Sequence, residues 1–278
     1  MNFYSSNVVS ELFKNGYCIV ENYLSSIECE KIIKEIEKIN NGKINKNLTY
    51  KESLKRGQIT IRDLVLIKPK PFLNLIDRKL ILKVLSETFQ DSFILENIMA
   101  SNSINVKKNY SSKIHCDSLL STANSKNSTD IVVMYCLDNF DKNNGATKVW
   151  PKSHLSDVRP HVDVNYTKKK IKKFKYVKAK KGSIVFFLGQ TWHQIGKNLN
   201  SKRRWSILVH YRRWWMKPST DFTKCGPSIY KKLNKTQKEL FGFNSIPPKF
   251  NSRNKISKTK TLRKLNKFPK SYFKALQY

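Results

Sequence analysis

The chain has 278 residues, 39% of them hydrophobic and 12% aromatic, with a formal net charge of +34 at pH 7. This apolar content supports a substantial core and excludes a disordered chain, and the length fits one large domain or two small ones. The longest apolar runs, IVVMYCL at 131–137 and SIVFFLG at 183–189, are too short to span a bilayer, and residues 1–30 carry polar and acidic positions where a signal peptide would need an apolar stretch.

In chain order, residues 11–40 read as a compact αβα opening. A first helix ends at Asn15-Gly16, a good capping pair, and a strand YCIVENYL follows. Ser25 or Ser26 then caps a helix whose Ile32, Ile33, Ile36 and Ile39 recur at helical spacing. Residues 41–60 read as a polar loop, and 71–89 as one helix with proline near its start. The period then changes. SFILENIMASNSINV, DIVVMYCLDNF, GATKVWPKSH, GSIVFFLGQTWHQIG and RRWSILVHYRRWW are short segments rich in Val, Ile, Trp and Tyr, set off by Asn-Gly, Pro and Gly. Helices first and strands afterwards point to a β-sandwich or barrel with helices packed on it. The chain from 217 onward reads as loop with one short helix, NKTQKELFGF. Residues 1–250 are expected to form one domain and 251–278 a basic tail.

The lysines spread along the chain but concentrate in two places. Residues 168–181 hold nine lysines and no acid, and the tail from Asn251 holds nine Lys or Arg and no acid. Such runs suit a solvated loop and tail or contact with a polyanion. Five scattered cysteines, at 18, 29, 116, 136 and 225, show no paired spacing and fit a reducing, cytoplasmic setting.

Histidine is scarce: 115, 154, 161, 193 and 210 are the full set. His115 and Asp117 are one residue apart, and on an extended chain alternate side chains share a face, so both can address one metal while Cys116 points away. His193 follows an apolar strand at a turn, where a scaffold can hold a third ligand. Two imidazoles and one carboxylate form a facial triad suited to Fe(II), with open positions for cosubstrate and oxygen.

These pieces together resemble the phytanoyl-CoA dioxygenase family of Fe(II)- and 2-oxoglutarate-dependent oxygenases. The resemblance rests on HCD at 115–117, DNFDKNNGATKVWPKSH, KGSIVFFLGQTWHQIGKN and SKRRWSILVHYRR, and extends from about residue 10 to 245. It implies a mostly β fold with flanking helices, a double-stranded β-helix (jelly roll, cupin-like). It implies His115, Asp117 and His193 as metal ligands and catalytic centre. Arg204, eleven residues after the distal histidine, takes the place of the family's cosubstrate arginine, with Tyr135 and Met99 as further cosubstrate-binding positions. Fe(II), 2-oxoglutarate and O2 are then the cofactors. The expected reaction is hydroxylation of a C–H bond in a small-molecule metabolite, with decarboxylation of 2-oxoglutarate to succinate. Asp117 argues against the related halogenases, which lack the carboxylate. Asn198 is expected to satisfy turn backbone, His154 to be structural and His210 to be packed or hydrogen-bonded. Lys152 stands where the family usually has glycine. The substrate is left open, and an anionic one bound near 168–181 is one expectation. Alternatives are a basic nucleic-acid- or polyanion-binding protein on the same fold, or an oxygenase acting on nucleic acid; the oligomeric state is not legible.

Overall fold

The computed structural model describes residues 5–41, 57–105, 112–118, 128–156, 158–160, 173–200 and 202–243. The segment 168–172 and the whole basic tail therefore lie outside the described residues. The opening follows the expected αβα order: helix α1 (Ser5–Asn15), strand β1 (Tyr17–Val20) and helix α2 (Ser26–Asn41). Ser25 is the cap of α2. Its hydroxyl accepts from the Glu28 N–H while the Glu28 carboxylate accepts from the Ser25 N–H, a reciprocal capping box. Cys29, Ile32, Ile36 and Ile39 form the buried stripe of this helix.

Two expectations need correction here. Residues 58–61 are not loop: strand β2 (Gln58–Ile61) pairs antiparallel with strand β3 (Phe93–Ser103), Thr60 opposite Ser101. The expected single helix over 71–89 is interrupted, and is preceded by a further turn. Helices α3 (Leu64–Ile67), α4 (Pro69–Ile76) and α5 (Lys79–Phe89) follow one another, with non-helical Asp77 and Arg78 between the last two. The Asp77 carboxylate accepts from Asn234 and Gln237 near the start of a distant helix, so a tertiary contact holds the break.

The body is a six-stranded antiparallel sheet in the order β1-β7-β4-β9-β3-β2, with β4 at Asp130–Cys136, β7 at Ile184–Leu188 and β9 at Arg204–Arg213. A smaller sheet has the order β6-β5-β8, from Lys175–Tyr176, Lys148–Val149 and His193–Gln194. Every residue of β4 and β7 is buried, because the large sheet is covered on both faces. Ile131, Val133 and Tyr135 join the core shared with the N-terminal helices, whereas Val132, Met134 and Cys136 join a second core with Phe140, Val149 and Val177. Two short helices, α6 (Gly226–Tyr230) and α7 (Lys235–Leu240), complete the described chain. This mostly antiparallel architecture with flanking helices is the double-stranded β-helix that the resemblance implied.

Backbone strain marks two junctions. Gly182 enters β7 at φ +86, with its carbonyl accepting from the Tyr23 and Leu24 N–H groups; a Cβ there would lie 2.2 Å from the Leu24 oxygen, so only glycine fits. Lys152 adopts φ 65, the left-handed conformation that explains the glycine usual at this position. Lys152→Gly is expected to stabilise the protein by about 0.5–1 kcal/mol, read as a higher urea midpoint at unchanged slope.

Candidate metal centre

Backbone pairing sets the centre before any side chain is considered. His115 and His193 form an isolated antiparallel bridge, the His115 N–H donating to the His193 carbonyl at 3.0 Å and the reverse bond measuring 2.8 Å. Directly opposed residues place their side chains on one side, and the two imidazole centroids lie 4.2 Å apart. The next segment is fastened at Gly189, whose carbonyl accepts from the Asp117 and Ser118 N–H groups at 2.8 and 2.9 Å. Asp117 is thereby turned back towards both rings: its carboxylate oxygens lie 3.6 Å from His193 Nε2 and 4.0 Å from His115 Nε2. One donor atom from each of the three residues falls within 4.8 Å of the others.

The rings are held in a ligating orientation. His115 Nδ1 lies 3.1 Å from the Lys113 carbonyl and His193 Nδ1 lies 3.0 Å from the Thr191 carbonyl. Each Nδ1–H therefore donates to backbone and each Nε2 lone pair faces Asp117, the arrangement that metal-binding histidines use. Burial alone would raise the Asp117 carboxyl, but His193, His210 and His115 overcome it and hold the group below the usual carboxylate range. Two imidazoles and a carboxylate around one point form a donor set that fits a divalent first-row ion.

The centre opens into a cavity of about 610 Å³ on the inner face of the large sheet. Strand β9 supplies alternate residues to it: Arg204, Ser206, Leu208 and His210. Met99 and Ser101 of β3, Val132 and Met134 of β4, and Gln58 and Thr60 of β2 continue the wall. Arg204 is 2% exposed, and its guanidinium carbon sits 4.0 Å from the centroid of the Phe140 ring. Its neighbour Arg203 faces outward to Glu37. The pleat thus separates the two arginines.

The structure brings Arg204 and Met99 to the same cavity as the triad, but not Tyr135. Tyr135 lies on the opposite face of β4, fully buried, with its hydroxyl donating to the Leu75 carbonyl at 2.6 Å. Tyr211 of β9 donates likewise to the Ile76 carbonyl at 2.8 Å. Two tyrosines therefore satisfy carbonyls at the C-terminal end of α4 that the helix cannot satisfy itself. The cosubstrate role implied for Tyr135 is corrected by strand alternation: Val132 and Met134 face the cavity, and Tyr135 faces the helices. Tyr135→Phe is expected to lower stability by about 1 kcal/mol and to leave the dissociation constant for 2-oxoglutarate unchanged, measured by thermal unfolding and anaerobic titration of the same preparation.

Other expectations resolve cleanly. Asn198 donates to the Ser103 and Lys202 carbonyls and accepts from the Asn200 N–H, closing its turn. His154 is fully buried with Nε2 donating to the Phe13 carbonyl. His210, expected to be packed, both lines the cavity and lies 3.3 Å from Asp130. Trp150, Trp192 and Trp205 are buried, Trp214 and Trp215 are exposed, and none of them lines the cavity. Gln194 reaches away to the Ser112 carbonyl. Among the described part of the lysine-rich segment, residues 173–181, none lines the cavity either. Among the cavity residues that sequence reasoning missed are Gln58, Thr60, Arg62 and His210. The period-two pattern of QITI was the available signal for the first two, and the two-residue step from Arg204 for the last.

Fold and donor set together make a candidate mononuclear-metal site inside a double-stranded β-helix, and the chain was compared with known proteins. The family model for phytanoyl-CoA dioxygenase matches residues 12–206. The chain belongs to the phytanoyl-CoA dioxygenase family, a family of iron- and 2-oxoglutarate-dependent oxygenases. Two uncharacterized proteins, from Mycobacterium bovis and Mycobacterium tuberculosis, are each 27% identical over 114 residues, 41% of this chain. That match spans only 40% of each relative's own length. Among solved structures, the epimerase SnoN in complex with Fe3+, alpha ketoglutarate and nogalamycin RO superposes with a TM-score of 0.61 at 16% identity, over 75% of this chain and 83% of that one. AviO1 from Streptomyces viridochromogenes gives a TM-score of 0.60 at 14% identity, over 79% of this chain and all of that one. These likenesses concern the fold. No helix among the described residues is long and apolar enough to cross a membrane.

Proposed function

We propose that this chain is an iron(II)- and 2-oxoglutarate-dependent hydroxylase of a small molecule, acting as one catalytic domain over residues 1–250. The observation that carries the proposal is the convergence of His115, Asp117 and His193 on one point of a cavity whose far wall holds the buried guanidinium of Arg204. His115, Asp117 and His193 hold the iron. Arg204 pairs its planar fork with the distal carboxylate of 2-oxoglutarate, and its burial strengthens a charge-assisted bond that water would weaken. Ser206 and Ser101 stand two residues along β9 and opposite it on β3, and offer hydroxyls to the same ligand. Met99 lies one row further and gives the cosubstrate an apolar flank.

When bound, the iron supplies oxygen activation coupled to conversion of 2-oxoglutarate to succinate and carbon dioxide, with the second oxygen atom entering a substrate C–H bond. The chain's own contribution is placement and exclusion. The apolar side chains of Met99, Leu208, Met134, Val132 and Phe187 keep water from the reacting face and position carbon rather than polar groups near the triad. SnoN is an epimerase on the same fold, so the outcome at carbon needs a direct test. Iron-loaded protein is incubated with 2-oxoglutarate, a metabolite extract and 18O2. A product gaining one labelled oxygen, in step with succinate formation, is expected. A product of unchanged mass or two hydrogens lighter would replace hydroxylation with epimerisation or desaturation.

A further inference from the structure

The cavity is larger than a five-carbon diacid fills, and its remaining polar lining is one-sided in charge. Among the described residues lining it, Asp117 is the only carboxylate, while Arg62 and Lys113 add two cations beyond Arg204 and the histidines. Arg62 differs from the other described arginines outside the proposed cosubstrate site. Arg78, Arg203, Arg212 and Arg213 are paired with carboxylates, and Arg159 donates to the Ser118 carbonyl. Arg62 makes no ion pair or hydrogen bond with any described residue; its neighbour Asp63 instead accepts from Thr220. Lys113 likewise has no ion pair with a described residue, and its backbone carbonyl accepts from His115.

Position separates Arg62 from the cosubstrate arginine. Gln58, Thr60 and Arg62 are alternate residues on one face of the chain, and all three line the cavity. The register runs Gln58 to Ser103 to Arg204 across β2, β3 and β9, then Thr60 to Ser101 to Ser206. Arg62 continues this progression level with Met99 and Leu208, about 10 Å across the sheet and about 13 Å along it from the Arg204 backbone. The two arginines therefore rise from well-separated backbone positions on this cavity wall. Between Arg62 and the triad lies the apolar floor of Met99, Leu208 and Met134. Lys113 approaches from the segment leading into His115, which is bridged to β8 of the smaller sheet.

We propose that Arg62, assisted by Lys113, forms a substrate-recognition subsite for an oxyanion, a carboxylate or phosphate on the molecule to be oxidised, and lays that molecule's apolar part across Met99 and Leu208 towards the triad. The inference rests on the hydroxylase reading for what happens next, but the anion subsite stands on its own residues. Arg62 is a specificity residue whose planar fork suits either head group.

The test is calorimetric titration of the iron- and 2-oxoglutarate-loaded protein, without oxygen, using hexyl phosphate, hexanoate and hexanol as probes. Wild type is expected to bind one or both anions about 10- to 100-fold tighter than hexanol, and the tighter of the two identifies the head group. Arg62→Gln is expected to remove that preference, Arg62→Lys to keep part of it, and Lys113→Gln to reduce it. The 2-oxoglutarate dissociation constant should not move in any variant. Equal binding of the three probes by wild type, an unchanged preference in Arg62→Gln, or a matching loss of 2-oxoglutarate affinity would each overturn the subsite. Should wild type form no iron–2-oxoglutarate complex, the hydroxylase reading fails, and the same probes on the metal-free protein decide the anion subsite separately.

Discussion

Replacing Asp117 with alanine is expected to abolish stoichiometric iron(II) binding and 2-oxoglutarate turnover while leaving the fold intact. Its carboxylate is the only anionic donor of the three, and both neighbouring Nε2 atoms face it. Removing a residue that merely supports a ligand costs roughly 10–100-fold in metal affinity, so loss of the carboxylate itself should exceed that range. The fold should survive because the segment is fastened by the backbone N–H groups of Asp117 and Ser118 on the Gly189 carbonyl, which the substitution does not touch. Iron content after gel filtration, together with circular dichroism of the same sample, separates the two effects. Iron retained at one per chain by Asp117→Ala would remove Asp117 from the ligand set.

The largest loss of stability is expected one shell away, at Asp130. This carboxylate is fully buried, opposite Arg212 in the β4–β9 register, with Arg212 Nη2 at 3.0 Å and His210 Nε2 at 3.3 Å. Arg212 also lies 3.5 Å from buried Glu96 and donates to the Lys217 carbonyl. Removing Asp130 takes from a buried guanidinium its nearer carboxylate, and breaking such a pair from one side costs about 3–5 kcal/mol, a large share of the roughly 5–15 kcal/mol that holds a domain together. Asp130→Ala is therefore expected to lower the denaturant midpoint sharply or to prevent accumulation of folded protein. A loss below about 1 kcal/mol, the level of an ordinary hydrogen bond, would show that the network contributes little.

The same network reaches the metal centre. Asp130 accepts from Thr129, whose hydroxyl is 2.7 Å from that of Ser118, next to the ligand Asp117 in the proposed set. Burial alone would raise the Asp130 carboxyl, but His210 beside it, with Thr129 and Arg212, holds it below the ordinary range. A carboxyl depressed on folding binds its proton less readily in the native state. Its contribution is thus fully present above the unfolded carboxylate pKa of about 3.9 and disappears as pH falls through the lower native value. Asp130→Asn should therefore flatten the acid limb of stability against pH.

Much of this was legible in the sequence because period and spacing carried it. The Ser25 cap and isoleucine stripe of α2, the apolar strands, and the one-residue step from His115 to Asp117 are local patterns, and local patterns survive folding. That Arg204 and Arg203 face opposite ways followed from alternation once the strand was granted, while the choice of Arg204 came from the family resemblance. What failed depended on partners far along the chain. The alternation in Gln58–Ile61 runs for only four residues, too few to declare a strand until its pairing with β3 is known. The break at Asp77 answers to Asn234 and Gln237. Tyr135 received its cosubstrate role from the resemblance, and a strand buried on both sides lacks the polar alternation that would have shown which side faces ligand. Arg62 was invisible for the same reason as β2.

The central claim is that His115, Asp117, His193 and Arg204 make one iron(II)–2-oxoglutarate site. Anaerobic titration of the full chain with iron(II) and 2-oxoglutarate, followed by the visible charge-transfer absorption of the chelate, tests it most directly. The account predicts a band that saturates at one iron per chain, is missing in Asp117→Ala, and in Arg204→Met requires much more 2-oxoglutarate to reach the same intensity. Folded wild-type protein that gives no band, or a band that all three proteins share at equal 2-oxoglutarate, would contradict it.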